Sequence, residues 1–134
     1  MGKHSGGCLC GAVRFEIEGD FDAFFLCHCG RCRKDTGSSN AANLFASGAA
    51  LTWLQGRDQT NLYQVADTRH AKCFCKTCGS AVPIEHEAAG LIVVPAGALE
   101  TDIPIRPTAH ICMSSRANWD DTLEELPKMD GMPG

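Results

Sequence analysis

The chain of 134 residues suits one domain, and its hydrophobic fraction of 44% supports a modest core. Its formal net charge of −4 favours neither a nucleic acid nor an anionic membrane surface as a partner. The longest apolar stretch, residues 88–99, contains glycine and proline and is too short to span a bilayer. We therefore expect a single domain over residues 1–134 that binds neither nucleic acid nor membrane.

Short strand-like segments, separated by glycine, proline and polar residues, follow one another along the chain. Residues 13–18 alternate apolar and polar side chains, which is typical of a half-buried strand. Residues 29–37 are polar and turn-like, with room for one helical turn. Further strands or apolar segments are predicted at 23–26, 43–46, 51–54, 61–65, 80–85, 91–94 and 108–113, of which 91–94 is expected to be fully buried. The predicted fold class is all-β.

Eight of the nine cysteines fall into three tight clusters. The clusters are Cys8-x-Cys10, Cys27-x-Cys29-x-x-Cys32 and Cys73-x-Cys75-x-x-Cys78, and Cys112 stands alone. Thiolates at gaps of one and two residues can converge on one soft metal ion, because a tetrahedral zinc site is compact. Residues two apart on a strand share a face, so the first pair can point together if it lies on a strand.

A disulfide scaffold is the competing interpretation. The cysteine count is odd, and closely spaced pairs of this kind usually bind metal or carry out redox chemistry. Residues 1–7 also lack the apolar segment of a secretory signal. We therefore expect a reduced, cytoplasmic zinc protein rather than a disulfide-linked one.

Spacing alone does not pair the clusters into sites. The first pair could join two cysteines of the second cluster or two of the third. A closed site of four cysteines is usually structural, whereas a site with three protein thiolates leaves a position for water or a substrate. The segment 27–32 could form such an open site.

Four segments resemble the glutathione-dependent formaldehyde-activating enzyme family, which shares its domain with centromere protein V. Residues 7–15 resemble the opening motif of that family, residues 27–37 its second motif and residues 74–80 its third. In this chain His110-Ile111, followed by Ser115 and Trp119, is similar to the C-terminal signature of that family. The resemblance covers nearly the whole chain in order.

The resemblance implies a β-tent, an all-β fold of short antiparallel strands stapled by two zinc ions. It implies a closed structural site and an open catalytic site. The implied structural ligands are Cys8, Cys10, Cys75 and Cys78, and the implied catalytic ligands are Cys27, Cys29 and Cys32. The implied activity is that of a carbon–sulfur lyase, which joins glutathione and formaldehyde to give S-(hydroxymethyl)glutathione. Zinc would bind the glutathione sulfur or would polarise the aldehyde oxygen.

Two other functions stay open: a non-catalytic zinc scaffold that binds a protein partner, and an enzyme of the same chemistry that uses another thiol or aldehyde. The chain is shorter than well-characterised members of the family and carries Cys73, which the motif does not require. If Cys73 reached the second zinc, it would close the open position. On a regular strand it shares a face with Cys75, which places it beside the structural site.

Several other side chains have expected roles. Arg31, Arg33 and Lys34 could form a cationic rim that attracts the two carboxylates of glutathione. His28 is expected to point away from the metal, and His110 to be partly buried and hydrogen-bonded. The remaining expectations are a buried, apolar environment for Cys112 and packing roles for Trp53 and Trp119.

Overall fold

The structure, a computed structural model, describes residues 2–134. Within these residues the chain forms eleven strands and one α-helix, α1 (Gly30–Thr36). The strands are β1 (Lys3–Gly7), β2 (Arg14–Glu18), β3 (Ala23–Cys27), β4 (Ala41–Ala46), β5 (Ala50–Gln55), β6 (Thr60–Gln64), β7 (Ala71–Cys75), β8 (Ala81–Val82), β9 (Ile84–His86), β10 (Leu91–Pro95) and β11 (Ala109–Ile111). The predicted all-β fold class is confirmed. No helix in the described part of the chain is long and apolar enough to cross a membrane.

The strands form three sheets. Their orders are β1-β2-β5, β11-β3-β4-β10-β9 and β6-β7-β8. All pairs are antiparallel except β11, which lies parallel to β3 at the edge of the five-stranded sheet. The expectation of antiparallel strands throughout is therefore wrong at this edge. A parallel neighbour needs a long connection, which residues 28–108 supply between β3 and β11.

The main core lies between the β1-β2-β5 sheet and the five-stranded sheet. Phe15 and Ile17 of β2 face Leu44 of β4 and Val94 of β10, and all four are fully buried. Alternation along β10 leaves the intervening residues partly exposed, so the predicted full burial of 91–94 is wrong.

A second, smaller core contains Cys8, Val13, Cys73, Cys75 and Val82. Trp53 packs against both cores, which confirms its predicted packing role. Trp119 is 56% exposed, so the corresponding prediction for this residue is wrong.

Three local structures differ from the sequence-based expectations. Residues 29–37 hold a helix of seven residues rather than a turn, because Cys29 caps its start and Gly37, at φ 62°, ends it. Strand β1 was not predicted, and Cys8 and Cys10 follow it in the loop before β2 rather than on a strand. The segment 80–85 is divided at Pro83 into β8 and β9.

Gly56 holds the end of β5 against the loop that carries Cys8 and Cys10. Its φ is 75°, and a Cβ atom there would lie 2.0 Å from the carbonyl oxygen of Ala12. We expect Gly56→Ala to lower the free energy of unfolding by about 1–3 kcal/mol, measured by urea denaturation. Gly48→Ala is the control, because its Cβ would meet no atom within 4 Å. An equal effect of the two changes would contradict this account.

Candidate metal centres

Four thiols from distant parts of the chain meet in the first sulfur group. Cys8 and Cys10 come from the loop after β1, Cys75 ends β7, and Cys78 follows in the next turn. Their sulfur atoms all lie within 4.8 Å of one another. Cys10 lies 3.6 Å from Cys8 and 3.8 Å from Cys75. The donor set and its size suit one tetrahedral zinc ion.

The turn after β7 holds the first sulfur group in shape. Gly79 adopts φ 78° and donates its N–H to the Cys75 carbonyl oxygen at 2.8 Å. This left-handed conformation favours glycine, which explains the residue that follows the third cysteine cluster. The Ser80 hydroxyl oxygen accepts the Leu9 N–H at 3.0 Å and so ties the turn to the opposite loop.

The thiols of the first group differ in their affinity for protons. The Ser80 hydroxyl, 3.2 Å from the Cys78 sulfur, and nearby backbone N–H groups lower the pKa of Cys78 to about 5. At Cys10 the Ala12 N–H lowers the pKa, but desolvation and the neighbouring thiols outweigh it and raise the pKa to about 11. Crowded sulfurs thus share protons, and a cation among them would let all of them ionise.

Three thiols form the second sulfur group at the junction of β3 and α1. Cys27 ends β3, Cys29 caps α1, and Cys32 lies in the first turn of the helix. Their sulfur atoms lie within 4.8 Å of one another, and the Cys32 N–H donates to the Cys29 sulfur at 3.4 Å. Burial raises the pKa values of Cys27 and Cys32. Burial acts the same way on Cys29, but the Cys32 N–H and the adjacent thiols outweigh it and lower its pKa.

A cavity of about 300 Å³ adjoins the second sulfur group. Cys27 and Cys32 line it together with the apolar side chains of Phe25, Phe45 and Val93. None of the four thiols of the first group lines this cavity. The two sulfur groups therefore differ in number of thiols and in access to a space that could hold a ligand.

A groove next to the cavity carries positive charge. Arg31, Lys34 and Lys72 line it beside the aromatic rings of Tyr63 and Phe74. The cavity and the groove share Lys72 and two further lining residues, Asp35 and His70, whose side chains lie 2.5 Å apart. Of the three predicted rim cations, Arg33 lies elsewhere, because its guanidinium donates to the carbonyl oxygen of Ser115 at 3.1 Å.

Cys73 belongs to neither sulfur group. It is buried on β7 and packs with Cys8 and Cys75 in the second core, beside the first group as expected. It also lines the cavity that Cys27 and Cys32 border. Burial raises the pKa of the Cys73 thiol.

His28 points into a buried polar cluster that is not part of the second sulfur group. Its Nδ1 lies 2.7 Å from Oδ2 of Asp120, and its Nε2 lies 2.9 Å from Nδ1 of His110. His28 is 1% exposed and Asp120 is 8% exposed. His110 is hydrogen-bonded, as predicted, but it is exposed rather than partly buried.

Cys112 is exposed, so the prediction of a buried side chain is wrong. It follows Ile111, which pairs with Cys27 across β11 and β3, and it has φ 57° at the start of the next turn. Its thiol lies near that of Cys27, where it contributes to the raised pKa of Cys27 after the larger effect of burial. It lies outside the compact group of three sulfurs.

A sequence profile described as glutathione-dependent formaldehyde-activating enzyme matches residues 3–115. The chain belongs to this family. The predicted resemblance is therefore confirmed, and the matched residues include both sulfur groups.

One similar sequence and one similar crystal structure accompany this assignment. A Halomonas elongata protein, named as a candidate glutathione-dependent formaldehyde-activating enzyme, is 30% identical over 124 residues. The alignment covers 85% of this chain and 77% of that protein. The crystal structure of a Rhodobacter sphaeroides protein shares 26% sequence identity and has a TM-score of 0.55. That match covers 79% of this chain and 98% of the solved chain, so this chain shares its fold with a protein of known structure.

Sequence reasoning assigned no functional role to Asp35, His70, Lys72 or Asp120. Asp35 closely follows the second cysteine cluster, and His70 and Lys72 closely precede the third, but their spacing marks none of them as a metal ligand or a catalytic group. Asp120 stands in a short acidic run whose other members are exposed, so composition does not distinguish it from a solvated carboxylate. Only the folded chain brings the first three residues to the cavity and Asp120 to His28, beside the second sulfur group.

We expect the purified protein to carry two zinc ions per chain, measured by elemental analysis. Cys75→Ser should lose folded protein, because binding of a structural zinc ion is coupled to folding. Cys29→Ser should remain folded by circular dichroism and carry one ion fewer. Cys73→Ser is the control and should keep both ions, because Cys73 lies outside both sulfur groups. Metal-free, disulfide-linked protein would contradict the metal assignment.

Proposed function

We propose that the protein is a zinc-dependent carbon–sulfur lyase that joins glutathione, or a related thiol, to formaldehyde or another small aldehyde. The observation that carries the proposal is that only the three-thiol group borders the cavity of about 300 Å³. Membership of the family and the name of the Halomonas elongata relative support the choice of reactants. The chemistry needs reduced thiols, so we place the protein in the cytoplasm.

The two sulfur groups have different roles in this proposal. Cys8, Cys10, Cys75 and Cys78 hold a structural zinc ion, which staples the loop after β1 to the turn after β7. Cys27, Cys29 and Cys32 hold a second zinc ion. When bound there, zinc would supply the positive charge that keeps an incoming thiol ionised at neutral pH.

The groove beside the cavity supplies the recognition of the thiol substrate. Glutathione carries two carboxylates, and Arg31, Lys34 and Lys72 are the cations that line the groove. Their charge attracts an anionic thiol to a protein whose formal net charge is −4. Phe25, Phe45 and Val93 give the space next to the second sulfur group an apolar wall.

The reaction forms one carbon–sulfur bond. The thiolate sulfur donates an electron pair to the carbonyl carbon of the aldehyde, and the π electrons of the carbonyl move to its oxygen. That oxygen then takes a proton, which replaces the one released by the thiol, and the product is S-(hydroxymethyl)glutathione when the reactants are glutathione and formaldehyde. The side chains of the groove hold the thiol next to the cavity that admits the aldehyde.

The protein should accelerate the condensation of glutathione with formaldehyde above the uncatalysed rate measured in parallel. The variant Arg31→Gln/Lys34→Gln should bind glutathione several-fold more weakly by calorimetry, since one exposed charge contact contributes about 0.2–1 kcal/mol. Added salt should weaken binding to the wild type more than binding to this variant. Arg106→Gln is the control, because this exposed cation lines neither the cavity nor the groove. Equal glutathione affinities of the wild type and the Arg31→Gln/Lys34→Gln variant would sink the assignment of the groove.

A second candidate function, a non-catalytic zinc scaffold, is favoured by one observation. The exposed thiol of Cys112 lies beside Cys27, within reach of the second sulfur group. If Cys112 served as a fourth thiolate ligand, the site would be closed like that of a structural zinc ion. The scaffold would then present its surface to a protein partner.

Cobalt substitution separates the two candidate functions, because the intensity of sulfur-to-cobalt charge transfer rises with the number of thiolate ligands. For the enzyme, Cys112→Ser should leave the spectrum of the cobalt-loaded protein unchanged, and added glutathione should increase the charge-transfer band. For the scaffold, Cys112→Ser should reduce the band by one thiolate, and glutathione should change the wild-type spectrum little. The second result would overturn the enzyme proposal.

A further inference from the structure

His28 is held by a clamp of two side chains from remote parts of the chain, Asp120 and His110. His28 lies between β3 and α1, His110 lies on β11, and Asp120 comes from the C-terminal segment. The distances on the two sides of the His28 ring are 2.7 Å to Asp120 and 2.9 Å to His110. Each nitrogen of this buried ring therefore has a polar side chain beside it.

His28 and Asp120 form a close, buried polar contact. Nδ1 of His28 lies 2.7 Å from Oδ2 of Asp120, an ion-pair distance, although the pair does not meet hydrogen-bond geometry. Both atoms are shielded from water, and neither has a hydrogen-bond partner among residues 2–134. Moving the two groups apart would leave each buried without a polar neighbour, so the contact holds the two side chains in place.

The C-terminal segment carries Asp120 to this position by its own packing. Ala117 is 3% exposed, and its carbonyl oxygen accepts the N–H of Asp120 at 3.1 Å. The residues matched by the family profile end at 115, so the carboxylate comes from a part of the chain beyond that match. Asp121, the next residue, is exposed.

The clamp acts on the backbone between two thiols. His28 is the residue between Cys27 and Cys29, and its N–H donates to the carbonyl oxygen of Ile111 at 3.0 Å. With both the ring and the backbone of His28 held, the backbone that carries Cys27 and Cys29 is held as well. The orientation of metal ligands is commonly set in this way by neighbours that do not themselves bind the metal.

We propose that Asp120 is a positioning residue of the second metal centre, which it acts on through His28 and with the help of His110. This inference rests on the assignment of Cys27, Cys29 and Cys32 as metal ligands in the proposed function. It extends that proposal, because it makes the C-terminal segment part of the site. Loss of such an outer partner typically weakens metal binding about 10- to 100-fold.

Zinc competition against a chromogenic chelator tests the proposal, with Cys29→Ser as the reference protein that retains only the first site. Asp120→Ala should lower the zinc affinity of the second site about 10- to 100-fold and leave that of the first site unchanged. Asp120→Asn should lose less, because it keeps the side-chain size and a polar oxygen next to His28. Asp121→Ala is the matched control and should bind zinc like the wild type.

His110→Ala covers the case in which Asp120→Ala does not fold, because His110 is exposed and its loss removes only one side of the clamp. It should weaken the second site by several-fold and spare the first. Unchanged affinity at the second site, or an equal loss at both sites, would overturn the positioning role. If the zinc affinity of the second site depends on Asp120 as expected but the wild type does not accelerate the condensation, only the proposed function is refuted.

Discussion

The mutual repulsion of crowded thiolates is the constraint on which this structure depends. Seven sulfur atoms lie in two groups, and within each group no two are more than 4.8 Å apart. Ionised sulfurs at such distances repel one another, and burial together with the neighbouring thiols raises the pKa values of Cys10, Cys27 and Cys32. A cation in each group would remove the conflict and would couple metal binding to folding.

The same kind of cluster is placed in two different surroundings. The first group lies where a hairpin loop meets the turn after β7, and Ser80 ties the two together by accepting the Leu9 N–H. The second group lies at the end of β3, where the five-stranded sheet leaves a cavity beside α1. Equivalent sulfur chemistry can thus staple the fold at one position and face a ligand-sized space at the other, which is the basis of the proposed division of roles.

Much of the fold could be predicted from the sequence. Alternation in residues 13–18 identified β2, because one face of that strand is buried and the other is not. The glycine-rich strand β1 escaped prediction, because its glycines carry no side-chain pattern. At Gly6 the reason lies in tertiary packing, since a Cβ atom there would meet the Ala98 carbonyl oxygen at 2.2 Å. The helix α1 was underestimated, because its cap is a cysteine whose spacing indicated only a metal ligand.

The sequence by itself determined the family and the cysteine clusters, because short spacings force neighbouring thiols together whatever the rest of the chain does. It left open how the clusters pair, since pairing depends on which loops meet in space. The tertiary structure alone decided that Cys73 lies in a core and that Cys112 is exposed beside Cys27. It also placed Asp120 next to His28, although the two residues are 92 positions apart in the chain. Contacts between such remote residues follow from the packing of the sheets, on which local sequence patterns carry no information.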